Sequence, residues 1–101
     1  GGLVRYFVDI DGTICTNTNG NYAEAEPFPE KIKKINNLYD DGARVVYWTA
    51  RGSTTGIDWT DLTTKQLEKW GAKYTELRMK KPDYDVFICD KAINSEVFFK
   101  D

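Results

Sequence analysis

The chain has 101 residues, 41% apolar and 14% aromatic, a composition that calls for one globular domain over residues 1–101. Lys and Arg number 14 against 16 Asp and Glu, a net charge of −2, which argues against a general binder of nucleic acid or anionic membrane. There is no histidine, which excludes a Ser-His-Asp triad and His-ligated zinc, and two cysteines are too few for a disulfide framework.

No apolar run approaches the roughly 20 residues that a membrane helix needs. Gly1-Gly2 leads into a strand and not into a charged leader, so a cytoplasmic protein with free thiols is expected. Residues 3–8 are mostly aliphatic and aromatic, as in a strand buried on both faces, and they run into Asp9-Ile10-Asp11-Gly12-Thr13. Two positions apart on an extended chain, Asp9 and Asp11 share a face, and their repulsion calls for a cation or a shared proton. Gly12 permits a sharp turn and a close backbone approach to a ligand. An EF-hand loop does not fit: counted from Asp9, its fifth, sixth and twelfth positions fall on Thr13, Ile14 and Gly20.

Residues 15–26 are rich in Asn, Thr and Gly and read as a surface loop or short flap, closed by Pro27-Phe28-Pro29. Pro29 suits the first turn of a helix, and Ile32, Ile35, Leu38 and Tyr39 follow at helical spacing. Lys31, Lys33 and Lys34 form its solvated side, and Gly42 ends it. Residues 43–50, with Val45, Val46, Tyr47 and Trp48, predict a second buried strand that runs into Thr49, Ala50 and Arg51. The loop from Arg51 to Gly56 offers a guanidinium fork and glycine N–H groups to an anion, although a plain Gly/Ser/Thr loop has the same composition.

Residues 58–70 predict a second amphipathic helix with Trp59, Leu62, Leu67 and Trp70 on its core arc and Gly71 as terminator. Residues 74–79 predict a third strand, Lys80-Lys81-Pro82-Asp83 a turn, and residues 86–89 a fourth strand ending at Asp90-Lys91. Residues 92–101 carry Val97, Phe98 and Phe99 without a clear period. This order predicts an α/β fold with a mainly parallel sheet. Ligands of such sheets bind beyond the carboxyl ends of the strands, where Asp9/Asp11, Thr49/Arg51 and Asp90 would converge with Lys80/Lys81.

Asp9-Ile10-Asp11-Gly12-Thr13, the strand-ending Thr49, the Lys81-Pro82 pair and the strand-ending Asp90 resemble, in that order, the four motifs of the haloacid dehalogenase superfamily. Thr49-Ala50-Arg51 and Lys81-Pro82 followed by Asp90-Lys91-Ala92 look most like its small phosphatase-type members. The resemblance implies a Rossmann-like three-layer sandwich without a cap domain and a Mg²⁺-dependent phosphohydrolase working through an aspartyl-phosphate. It makes Asp9 the nucleophile and Asp11 the general acid and base. Thr49 and Lys81 would hold the phosphoryl group, Lys81 being preferred to Lys80 because Pro82 follows it. Gly12, Thr13, Ala50 and Arg51 would border the substrate. Asp9, the Asp11 backbone carbonyl and Asp90 would bind Mg²⁺. The fourth motif departs from the family pattern: Cys89 precedes Asp90, Lys91 follows it, and Asn94 stands where a later acid is expected.

Physical chemistry asks for the same parts. A carboxylate nucleophile divides one hard phosphoryl transfer into two steps, and a cation must offset the repulsion between two anions. Mg²⁺ favours oxygen ligands, in keeping with carboxylates and no histidine. Neither residues 14–48 nor residues 50–80 leave room for a cap, so the site is open and water must be excluded by substrate or by a neighbouring subunit. A small phosphorylated sugar or related metabolite is therefore the expected substrate, and a homo-oligomer is left open. Two rivals are weighed, a phosphotransferase or mutase that uses the same intermediate and a degenerate domain that binds only Mg²⁺ or a partner. A receiver-like regulatory domain is disfavoured because no Asp ends the second or third strand.

Overall fold

A computed structural model describes residues 4–100. Leu3, the expected start of the first strand, lies outside the described residues, as do Gly1, Gly2 and Asp101. Strands β1 (Arg5–Val8), β2 (Arg44–Trp48) and β3 (Glu76–Arg78) form a parallel sheet in the order β1-β2-β3. In register, Phe7 lies beside Val46 and Val8 beside Tyr47, while Tyr47 lies beside Leu77 and Trp48 beside Arg78.

The two crossovers are α1 (Pro29–Asp40) and α2 (Thr60–Lys69). Their boundaries follow from local chemistry. Pro29 opens α1 at a position whose N–H has no helical partner anyway. Both helices end alike: Gly42 (φ +98°) and Gly71 (φ +71°) take the left-handed conformation. The next residues then donate back, Ala43 N–H to Leu38 and Ala72 N–H to Leu67, and so cap the last carbonyls. A short helix α3 (Ser95–Phe98) closes the described chain, with the Asn94 side chain accepting from Glu96 N–H.

Because both connections turn the same way, α1 and α2 lie against one face of the sheet. Val8, Val45 and Tyr47 meet Ile32, Ile35 and Leu67 there, and Ile10, Ile14 and Cys15 extend this core beneath the carboxyl end of β1. All of these are buried. Of the four apolar side chains expected to line the core around α2, Leu67 is buried and Trp70 packs partly buried against it, while the helix's other buried positions are Thr63 and Gln66. The two polar ones serve Arg51, as described below.

The expected fourth strand does not form. Residues 86–89 carry no regular structure, and Val86, Phe87 and Ile88 are 75%, 54% and 94% exposed. An apolar run makes a strand only where a sheet edge pairs with its backbone, and none pairs with this one. Cys15 is a second correction. Expected at the head of a polar loop, it is buried, bridging Asp11 on one side and Pro27 on the other.

Candidate functional site

The carboxyl ends of β1 and β2 set the site. Beyond Val8 the chain stays extended only as far as Asp9 and then folds back. Thr13 and Ile14 N–H groups both donate to the Ile10 carbonyl, and Gly12 N–H donates to Cys15 (2.9 Å). Gly12 sits at φ +80°, where a side chain would be strained and would lie 2.6 Å from the Asn17 amide nitrogen. This turn leaves the Asp9 and Asp11 side chains at the rim while Ile10 and Ile14 fill the core below.

Asp11 is fixed by a residue 40 positions away. Arg51 Nε donates to one Asp11 oxygen and Nη2 to the other, both at 2.9 Å, a two-point fork with no exposed guanidinium surface. Its third nitrogen, Nη1, donates to Thr63 Oγ1 (3.0 Å) and Gln66 Oε1 (2.6 Å), which explains the buried polar positions of α2. The Tyr22 ring packs on the same guanidinium, 4.8 Å from its carbon. Arg51 was expected to border the substrate through an exposed fork. It lines the cavity, but its donors face Asp11 and α2. Sequence reasoning missed Thr63 and Gln66, and the signal was available: two polar residues three apart on the arc expected to be apolar.

Asp9 keeps more solvent, with 42% of its side chain exposed. Its Oδ1 accepts from Ile10 N–H (2.9 Å) and lies 3.9 Å from Lys81 Nζ. Partial burial pushes its carboxyl above the ordinary value, Lys81 and the Ile10 amide pull it back, and Asp11 adds a smaller upward repulsion. Burial raises the Cys15 thiol to about 12, with the Asp11 charge adding to it, so this thiol stays protonated and unreactive.

Lys81 reaches this rim because the backbone delivers it. Lys80 adopts φ +63°, a left-handed conformation costly for a non-glycine residue, and Lys81 N–H then donates to the Thr49 carbonyl (2.9 Å). Ser53 Oγ donates to the Lys81 carbonyl at 2.6 Å. Thr49 is buried, and its hydroxyl accepts from Arg51 N–H (3.2 Å). The structure thus brings Asp9, Asp11, Thr49, Ala50, Arg51 and Lys81 to one rim. The first five border a cavity of about 230 Å³; Lys81 approaches from a neighbouring, mostly apolar hollow beside Trp48 and Tyr84. Gly12 and Thr13 shape the turn and lie outside the cavity wall.

The opposite wall is the flap. Thr16 N–H donates to the Glu26 carbonyl (2.9 Å) and Phe28 N–H to the Ile14 carbonyl (2.8 Å), pinning its two ends together. A single turn of 3₁₀ helix, Tyr22–Glu24, lies within it. Asn17, Thr18, Asn19, Gly20 and Tyr22 complete the cavity.

Asp90 is not brought to this place. It is exposed in the irregular segment 79–94, where its carboxylate accepts from the Cys89 thiol at 3.8 Å, and it does not border the cavity. Among the described residues, no group of three or more His, Cys, Asp or Glu is assembled to hold a metal ion. Of the three oxygens expected for Mg²⁺, the two near the β1 end fit: the Asp9 carboxylate is half-open and the Asp11 carbonyl accepts no backbone hydrogen bond. The third does not.

No family model and no curated protein matches the chain. Among solved structures, a structural-genomics target from Vibrio cholerae shares the fold, with a TM-score of 0.84 at 24% identity over 95% of this chain and 87% of that one. The likeness shows an α/β fold and leaves function to the site. No helix among the described residues is long and apolar enough to cross a membrane.

Proposed function

We propose that the chain is a phosphomonoester hydrolase of the capless haloacid dehalogenase type, whose Asp9 forms an aspartyl-phosphate. The observation that carries this reading is the pair of carboxylates at the β1 end: Asp9 open to solvent and 3.9 Å from a lysine, Asp11 beside it and locked by Arg51. A structural ion-pair network needs only the second of these. A half-open carboxylate at the edge of an open cavity, raised by partial burial yet 3.9 Å from a lysine, is the arrangement of a nucleophile.

In this reading an Asp9 carboxylate oxygen attacks phosphorus and the ester P–O bond breaks. Asp11 gives its proton to the departing alcohol oxygen, then takes one from water, which attacks phosphorus and breaks the bond to Asp9. Phosphate leaves, and Asp9 and Asp11 return to their starting states. Each Asp11 oxygen accepts one Arg51 N–H and keeps lone-pair capacity for the proton it must carry. Such a positioned acid and base supplies a factor of roughly 10²–10⁴. Lys81 offsets the negative charge that collects as phosphate meets Asp9. Mg²⁺, held by Asp9 and the Asp11 carbonyl, would supply further neutralisation of the phosphoryl oxygens.

The test is direct. In Mg²⁺ the purified protein hydrolyses p-nitrophenyl phosphate, and Asp9→Asn lowers kcat by a factor on the order of 10⁴ or more while circular dichroism stays native. Wild-type turnover in Asp9→Asn overturns the assignment. One observation favours a second reading, a degenerate domain without turnover: Asp90 stands apart from Asp9. It is the better account if no phosphomonoester is cleaved at any Mg²⁺ concentration.

A further inference from the structure

The cavity wall has two chemically different halves. Asp9, Asp11 and Thr49 face one side of it; the flap supplies Asn17, Thr18, Asn19, Gly20 and Tyr22 on the other. The flap half carries amides, hydroxyls and backbone but no ionised side chain. Arg51, the one basic residue of the wall, has its guanidinium buried against Asp11, Thr63 and Gln66. A carboxylate or second phosphate on the substrate would find no free cation there, and would face two acids. A nucleobase would have to stack on Tyr22, the one aromatic ring of the wall. The Tyr22 ring already lies on the Arg51 guanidinium and meets the Trp59 ring edge-on, 5.2 Å between centroids.

One atom of this half is unsatisfied. Thr18 Oγ1 is buried with no hydrogen-bond partner, although buried hydroxyls are almost always paired. A hydroxyl can both donate and accept, which suits another hydroxyl group. The flap is also held firmly enough to select. Gln66 Nε2 donates to the Tyr22 carbonyl (2.6 Å), and Asn17 lies against Gly12 of the acidic turn. Asn19 (φ +53°) and Gly20 (φ +98°) both take the left-handed conformation, and Asn21 N–H donates to the Thr18 carbonyl (3.2 Å). That is a tight primed turn, a conformation Asn and Gly tolerate best. At about 230 Å³ the cavity falls below the roughly 300–1,000 Å³ of sites for drug-sized ligands, so its occupant is small.

We infer that the flap is the leaving-group site, and that it selects an uncharged polyhydroxylated alcohol of about one sugar ring, read by Thr18, Asn17 and Asn19. This rests on the hydrolase reading above and adds to it the chemistry of the group released. The experiment compares kcat/KM in Mg²⁺ for four monophosphates: a hexose 6-phosphate, a carboxylated phosphoglycerate, a nucleoside 5′-monophosphate and p-nitrophenyl phosphate. The hexose phosphate is expected to exceed the carboxylated and nucleoside substrates at least tenfold.

Thr18→Val, which keeps the shape and removes the hydroxyl, lowers the ratio of hexose to aryl phosphate about three- to tenfold, the effect of one neutral hydrogen bond. Asn19→Gly keeps the left-handed turn, removes the amide and shifts the ratio the same way, so the test survives if Thr18→Val misfolds. Calorimetric titration of hexose phosphate into Asp9→Asn, with and without Thr18→Val, reads the same loss as binding. If the aryl phosphate is cleaved but the carboxylated or nucleoside substrate is preferred, this inference is overturned and the hydrolase reading is kept. The same holds if both flap variants leave the ratio unchanged. If nothing is cleaved, both fall.

Discussion

Arg51 and Ile88 make an instructive pair. Both follow a predicted strand or lie within one, and both were expected near the carboxyl rim of the sheet. Arg51, a charged residue, is buried with 2% exposure; Ile88, an apolar one, is 94% exposed. The inversion has a physical cause in each case. The guanidinium is buried because Asp11, Thr63 and Gln66 meet its donors, so desolvation is repaid locally by hydrogen bonds to charge. Ile88 is exposed because no backbone edge pairs with residues 86–89, and an apolar side chain cannot by itself bring a strand into a sheet. Burial at this rim follows polar satisfaction before it follows hydrophobicity.

That contrast can be broken at its strong end. Arg51→Met leaves Asp11 only 18% exposed and without its partner, together with two orphaned acceptors on α2. Breaking a buried pair from one side costs about 3–5 kcal/mol. A loss of that size in urea unfolding is expected, and the double-mutant cycle with Asp11→Asn should show strong coupling. A loss below about 1 kcal/mol would mean the fork is screened by solvent and does not organise the rim.

An isoleucine pair sharpens the comparison. Ile14, fully buried under the acidic turn, should lose about 2–5 kcal/mol on replacement by Ala. The same change at Ile88 should stay within about 0.5 kcal/mol. A loss at Ile88 comparable with that at Ile14, measured with and without Mg²⁺, would show that residues 86–89 pack as the strand the sequence suggests.

These cases also mark what could be read from the residues. Helices α1 and α2 were legible because their stop signals are local: Gly42 and Gly71 follow the last periodic positions and adopt the left-handed conformation such caps need. The Asp9/Asp11 rim was legible for the same reason, since an apolar strand ending in Asp-x-Asp-Gly fixes both carboxylates within five residues of chain. The Arg51–Asp11 fork was not, because a Gly/Ser/Thr-rich loop reads as an anion cradle until the tertiary partner is known. Thr63 and Gln66 lie on the arc of α2 expected to be apolar, and they are buried for Arg51's sake. Val86 to Ile88 failed in the opposite direction, since hydropathy says that a segment wants a partner and not that an edge is there to supply one.

The smallest effect concerns Asp9 itself, the open member of the carboxylate pair. Burial holds its carboxyl above the ordinary 3.8, so the folded state binds this proton more tightly than the unfolded chain does. The sign follows. Below pH 3.8 Asp9 is protonated in both states and carries no penalty. As pH rises through 3.8 toward the folded-state value, ionisation destabilises the fold, and at neutral pH the whole penalty is present. Asp9→Asn removes it. In chelator, so that no cation intervenes, the Tm advantage of Asp9→Asn should be near zero at the acid end and grow toward pH 7. Since the side chain is 42% exposed, solvent screens the effect, and a gain of no more than a few degrees is expected where 1 kcal/mol moves Tm by about 4–8 °C. The opposite trend, wild type gaining on the variant as pH rises, would mean that attraction to Lys81 outweighs burial. Asp9 would then be a structural partner of the lysine and not a carboxylate held ready for phosphorus.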